Sequence, residues 1–180
     1  MNILAVYHHQ QLLLPSKVLT HREDIDPLLE QLGVRLEGLA TLPKVSEDDT
    51  DQQIISVARS ILVDSRLGAT LEYLEVQKMD ALPGYAEAPP SSEVERRFQQ
   101  PTARLLVRGA GVMCLHQADQ LLVLSCRRGD LISVPARLGH WFVASPGQPS
   151  VIVHGAATPQ ALIAENTGND IAGRYQVLEL

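Results

Sequence analysis

The chain has only two cysteines, Cys114 and Cys126, among 180 residues. That is too few for a disulfide framework. It also has no block of Lys or Arg, and 15 basic against 21 acidic residues leave a formal charge of −6. Such a balance excludes the basic footprint of a nucleic-acid-binding surface. No long hydrophobic run is present, because the opening MNILAVYHHQQLLLP is short and broken by His8 and His9, so no membrane span is expected. No signal-peptide pattern is evident either, and the expected compartment is a reducing cytoplasm. Repeats and low-complexity tracts are missing. What the chain does have is 45% hydrophobic and 20% charged residues, which excludes wholesale disorder and provides enough apolar side chains for a core.

Residues 2–6 (NILAV) read as a buried strand. A helix is expected from Glu23 to Leu32, with Gly33 placed to stop it, and VRLEGLA (34–40) alternates as a strand. A second helix is expected to begin at Ser46, whose S-E-D-D run suits the positive end of a helix dipole. Its apolar stripe is Ile54, Val57, Ala58, Ile61 and Leu62. LEYLEV (71–76) returns to a strand pattern. Residues 81–101 contain four of the eleven prolines and read as a surface connection, with at most one short helix from Ser92 to Gln99. From 103 onward, six short strands follow one another: ARLLVRG, GVMCLHQ, QLLVLSC, DLISVP, HWFVAS and SVIVHG. Tight turns such as Arg128-Gly129-Asp130 separate them, a succession that indicates a barrel or jelly roll. Pro159 to Ala164 reads as a last short helix.

One stretch bears on chemistry. Gly129, then five residues, then Pro135, then four residues, then His140 looks like the second half of the cupin signature. A turn glycine opens an apolar strand, a proline ends it, and the chain returns carrying an inward imidazole able to bind a metal. A wider set of segments, Gly109-Ala110-Gly111, Cys114-Leu115-His116, Asp130 to Ala136, His140-Trp141-Phe142 and Thr167 to Ala172, resembles bacterial acireductone dioxygenases. G-V-R-L-E (33–37) and the helix from Ser46 extend the resemblance to the N-terminal part.

The resemblance implies a mainly β fold with accessory helices (α+β), a cupin or jelly-roll β-barrel forming one domain over 1–180. Residues 1–80 would pack on the barrel, 81–101 would connect, and 102–180 would form the barrel core. It further implies a methionine-salvage enzyme whose single iron or nickel ion, held by three His and one Glu, orients an enediolate for attack by dioxygen. The family pattern is His-x-His, three residues, Glu, and a glycine seven residues later. Counting back from Gly109 puts Arg96 and Phe98 at the histidine positions and Thr102 at the glutamate. None is a ligand of the required kind, and no His lies between His21 and His116. His140 is the one family ligand retained, so no cofactor is expected unless a single divalent transition metal, iron or nickel, binds a rebuilt site. His154, where the family commonly has Arg, and His116 are the candidate partners for such a site, with Glu93 or Glu95 as a candidate carboxylate.

The candidate catalytic residues are therefore Arg104, His140 and His154. Arg104 matches an Arg that contacts substrate oxygens in the family. The candidate pocket residues are Arg104, Phe142, Arg96, Phe98 and Thr102. Arg96 and Arg97 are expected on a solvated helix face, although Arg96 could instead put its charge where the metal would sit. Cys114 and Cys126 read as buried hydrophobes. The leading expectation is an acireductone dioxygenase-like cupin with a degenerate metal site that binds or transforms a small oxygenated metabolite. The alternatives are a metal-dependent dioxygenase with a rebuilt site and a non-catalytic partner of an active homologue. Neither nucleic acid nor membrane is an expected partner, and the sequence leaves the oligomeric state open.

Overall fold

A computed structural model describes residues 1–80 and 94–176. In chain order the elements are β1 (Leu4–His8), β2 (Lys17–Leu19), α1 (Arg22–Gln31), β3 (Arg35–Gly38), α2 (Asp51–Leu62), β4 (Tyr73–Met79), β5 (Arg96–Arg97), β6 (Thr102–Arg108), β7 (Ala110–Gln117), β8 (Gln120–Arg127), β9 (Asp130–Val134), β10 (Gly139–Ala144), β11 (Ser150–Ala156), β12 (Glu165–Asn166) and α3 (Ile171–Arg174). Single 3₁₀ turns lie at Gly68–Thr70 and Pro159–Leu162.

The strands form two antiparallel sheets. One has the order β12-β5-β10-β7-β8-β1-β2 and the other β3-β9-β6-β11-β4. From β6 onward the chain repeatedly changes sheets, as a jelly roll requires. Gly109 makes one of these changes at φ +79, where an added Cβ would strike the Pro149 carbonyl and Ser150. Only a glycine tolerates both demands.

Three apolar layers result. Between the sheets lie Leu4, Met113, Leu115, Leu124 and Phe142 from one side and Leu36, Leu106, Ile132 and Ile152 from the other. The outer face of the five-stranded sheet, with Leu105, Leu131 and Val153, is covered by Ile54, Ala58 and Leu62 of α2. The outer face of the seven-stranded sheet, with Cys114, Val123, Trp141 and Val143, is covered by Ile171, Ala172 and Tyr175. Strands buried on both faces read as continuous apolar runs rather than alternating ones. QLLVLSC and HWFVAS have that form because both of their faces are covered.

Two sequence expectations need correction. The second helix begins at Asp51, not at Ser46. Thr50 and Gln53 form a reciprocal capping box, each side chain bonding the other's backbone N–H, and this makes Thr50 the N-cap and Asp51 the first helical residue. Ser46 instead closes a turn in which its N–H donates to Asp49 Oδ2 at 2.7 Å. No helix forms over residues 94–99, since Arg96 and Arg97 make the short strand β5, held between β10 and β12. Ser92 and Glu93, with the rest of 81–93, lie outside the described residues.

Gly111 packs where an added Cβ would collide with the Phe142 ring and the Val143 carbonyl. The ring can shift, but the backbone of a central strand cannot. Gly111→Ala is therefore expected to destabilise the fold by about 1–3 kcal/mol, the usual cost of overpacking a core, read as a lower urea midpoint at unchanged slope.

Candidate functional site

Strand alternation decides which polar side chains enter the space between the sheets. Arg104 shares its face of β6 with Leu106, His154 shares its face of β11 with Ile152, and His140 shares its face of β10 with Phe142; all three apolar neighbours belong to the inner layer. Arg104 and His154 are also directly opposite in the β6–β11 register. Three inward polar groups thus converge from two sheets.

Phe98 is what they converge on. Its ring is 5% exposed. The ring centroid lies 5.5 Å from that of His140 in a tilted arrangement and 5.2 Å from that of His154 edge-on. The Arg104 guanidinium carbon stands 5.7 Å from the same centroid, within the range of a cation–π contact. Two backbone contacts set this placement. Arg96 pairs with His140 in the sheet, and Arg137 N–H donates to the Phe98 carbonyl at 2.8 Å. Arg137 adopts φ +68 in the process.

Burial and the neighbouring cation govern the chemistry of the two imidazoles. His140 is 2% and His154 1% exposed. Loss of water, followed by the charge of Arg104, pushes His140 down to about 3 although the Leu138 carbonyl works the other way. The same two causes, with a smaller contribution from His140, push His154 down to about 2. Both rings are therefore neutral at physiological pH. His140 Nδ1 donates to the Leu138 carbonyl at 2.8 Å, so its Nε2 carries the lone pair. That Nε2 and both nitrogens of His154 have no hydrogen-bond partner among the described residues. Thr102 Oγ1, buried at the head of β6, is in the same position.

His116 does not join this cluster. It lies opposite Gly139, next to the Leu115–His140 pair, so its side chain leaves the other face of the sheet. There its Nδ1 meets Glu95 Oε2 at 2.6 Å and its Nε2 meets the Ala118 carbonyl at 3.2 Å. Gly139 leaves room for this carboxylate, since a Cβ there would come within 2.5 Å of Glu95 Oε1. A three-His site of His116, His140 and His154 is thereby excluded, because the sheet itself stands between them. Arg96 is exposed, so the cation inside the barrel is Arg104. Phe142 lines the inner layer. Glu75 escaped the sequence reading. It faces His154 across β4 and β11, with Oε1 3.9 Å from His154 Nδ1, and only the alternation of LEYLEV pointed to it. Among the described residues, no three His, Cys, Asp or Glu side chains are grouped to hold a metal ion.

The model of the ARD/ARD' family matches residues 36–153, a span that contains Phe98, Arg104 and His140 and ends one residue before His154. This chain belongs to that family. The membership extends beyond the matched span. An acireductone dioxygenase of Pseudomonas aeruginosa (strain UCBPP-PA14) is 34% identical over 99% of each chain, and one of Pseudomonas fluorescens (strain Pf0-1) is 31% identical over the same shares. The fold of the ARD/ARD' family is seen directly in an acireductone dioxygenase from Bacillus anthracis with a cadmium ion in its active centre. That structure superposes with a TM-score of 0.69 at 17% identity, covering 92% of this chain and 98% of the other. The cupin fold expected from the sequence is thus the fold observed.

The histidines on the two sides of the sheet give opposite pH responses. His116 is raised, first by its bond to Glu95. Its stabilisation is complete below its unfolded value of about 6.5 and is lost as pH rises through the raised folded value. Glu95→Gln is expected to flatten that alkaline decline in urea titrations run from pH 6 to 9. His154 is depressed, so it stabilises above about 6.5, and that contribution is lost as pH falls toward about 2. His154→Phe, with no proton to gain on unfolding, is expected to flatten the acid limb between pH 6 and 4 in the same assay.

Proposed function

We propose that this member of the ARD/ARD' family retains the family barrel but not its metal centre, and binds a small oxygenated metabolite against Arg104, His140 and His154 without iron or nickel. The carrying observation is Phe98. At the position the family pattern assigns to a histidine, a phenyl ring packs against both imidazoles at 5.5 and 5.2 Å. Carbon offers a metal no lone pair. The Arg104 guanidinium beside that ring would repel a divalent cation in the same space.

The other positions support the same reading. Thr102 supplies a neutral hydroxyl, and Arg96 is exposed and has no acceptor. His140 remains, and one imidazole does not hold iron or nickel against water and competing ligands. The ion does not fit the residues present. A fixed guanidinium flanked by two neutral imidazoles suits an anionic, oxygen-rich molecule instead. The relatives' names give the class, a small-molecule substrate; no step of their reaction is carried over.

A second reading, a metal-dependent dioxygenase with a rebuilt site, has one contact in its favour, the 3.9 Å approach of Glu75 to His154. Elemental analysis separates the two. Untagged protein loaded in turn with iron(II), nickel(II), copper(II) and zinc(II), then gel-filtered, is expected to retain no stoichiometric metal. The triple variant Arg96→His, Phe98→His, Thr102→Glu is expected to retain about one ion per chain, because it restores four ligands including His140. Retention of one ion by the unaltered chain, lost on His140→Ala, would establish the rebuilt site instead.

A further inference from the structure

A groove of about 420 Å³ runs along β3, between α1 and the turn at 65–67, and its size is usual for a small-ligand site. Its floor is apolar, formed by Leu29, Val34, Leu36 and Leu67, whereas its walls carry charges of both signs. One of these is already neutralised. Arg22 Nε and Nη2 donate to the two oxygens of Asp26 at 2.9 and 3.1 Å. The same Nη2 donates to the Leu36 carbonyl at 2.7 Å, which takes up a backbone acceptor of β3, the edge strand of its sheet. An added peptide strand would need such acceptors, so the groove suits a small molecule. Glu37 fixes the opposite wall. Its Oε2 accepts from Ser65 Oγ at 2.9 Å and from Leu67 N–H at 3.3 Å, tying the turn that carries Arg66 to β3.

Among the described residues, the side chains of Arg35, Arg66 and Glu30 make no ion pair and no hydrogen bond, and all three are exposed. Two open guanidiniums therefore face two carboxylates, Glu30 and Glu37, and the remaining charges balance. A simple anion meets both cations but also both carboxylates, and a simple cation has the converse conflict. A zwitterion satisfies both signs at once. We infer that this groove binds a zwitterionic α-amino acid with an apolar side chain. The carboxylate lies on Arg35 and Arg66, where a planar guanidinium matches its two oxygens. The ammonium faces Glu30 and Glu37, and the side chain covers the leucine and valine floor. This site is separate from the cluster of Arg104, His140, His154 and Phe98 and is independent of the metal-free reading.

Titration of the ¹⁵N-labelled full chain, followed by amide chemical shifts, tests this with L-leucine and two analogues that each lack one charge. 4-Methylpentanoate lacks the ammonium, and 3-methylbutylamine lacks the carboxylate. Leucine is expected to bind about fivefold or more tightly than either, a modest factor because the charged walls are exposed. Saturable shifts are expected at the amides of Arg35, Glu37 and Leu67. Glycine, with no side chain for the floor, is expected to bind more weakly than leucine. The double variant Arg35→Ala, Arg66→Ala should bind leucine no better than 3-methylbutylamine, and Glu30→Gln should narrow the gap between leucine and 4-methylpentanoate. Thermal unfolding confirms that each variant is folded, and the comparison of ligands on the unaltered chain stands without them. Equal or tighter binding of either analogue, no saturable shift from leucine, shifts confined to residues away from the groove, or leucine binding unchanged in the double variant overturns the proposal.

Discussion

Between two sheets closed face to face over one apolar layer, a charge is costly and acts strongly on its neighbours, because a low-dielectric interior screens it little. Placing a guanidinium in such a layer therefore constrains everything around it. Arg104 enters from β6, directly opposite His154 on β11, and its charge is one of the two forces that keep His154 and His140 neutral. A neutral imidazole beside a fixed cation differs chemically from an imidazole on a metal. A neutral imidazole presents one lone pair and one N–H.

The arrangement depends on a short piece of backbone. The two-residue strand β5 exists because Arg96 pairs with His140 on one side and with Asn166 on the other. That pairing delivers Phe98 into the inner layer. The opposite side of the same junction is held by the buried Glu95–His116 bond, and the Glu95 carbonyl also accepts from Thr167 N–H at 3.2 Å. Segments distant in the chain thus converge at this junction. The Phe98 ring packs on one face of this junction, and the Glu95–His116 pair lies on the other.

Much of the fold was legible because the strands are covered on both faces. Apolar runs separated by tight turns marked the six strands from Thr102 to Ala156, with small shifts at their ends. The long amphipathic helix was legible for the same reason, its stripe packing on Leu105 and Val153. Its start was misplaced because four acidic residues near Ser46 suit a helix dipole as well as a capping box does, and the reciprocal Thr50–Gln53 bonds override them. Strand β5 was illegible for a different reason. Two arginines have no strand pattern of their own, and their conformation comes from His140, far along the chain.

For the site, the side-chain types of Arg96, Phe98, Thr102, Arg104, His140 and His154 were evident from the sequence. Facing was not. His140 and His116 lie on strands of similar composition, and only the β7–β10 register, pairing His140 with Leu115 and Gly139 with His116, sends them to opposite sides of a sheet. The sequence by itself determined the barrel, the family and the chemical identity of each candidate side chain, since these follow from local pattern and spacing. Only the tertiary structure decided that Arg104, His140, His154 and Phe98 meet, that Arg96 stays outside, and that Glu75 approaches His154. Most of those contacts join segments distant in sequence, and the pairing of one strand with another is set by burial across the whole layer rather than by any residue within it.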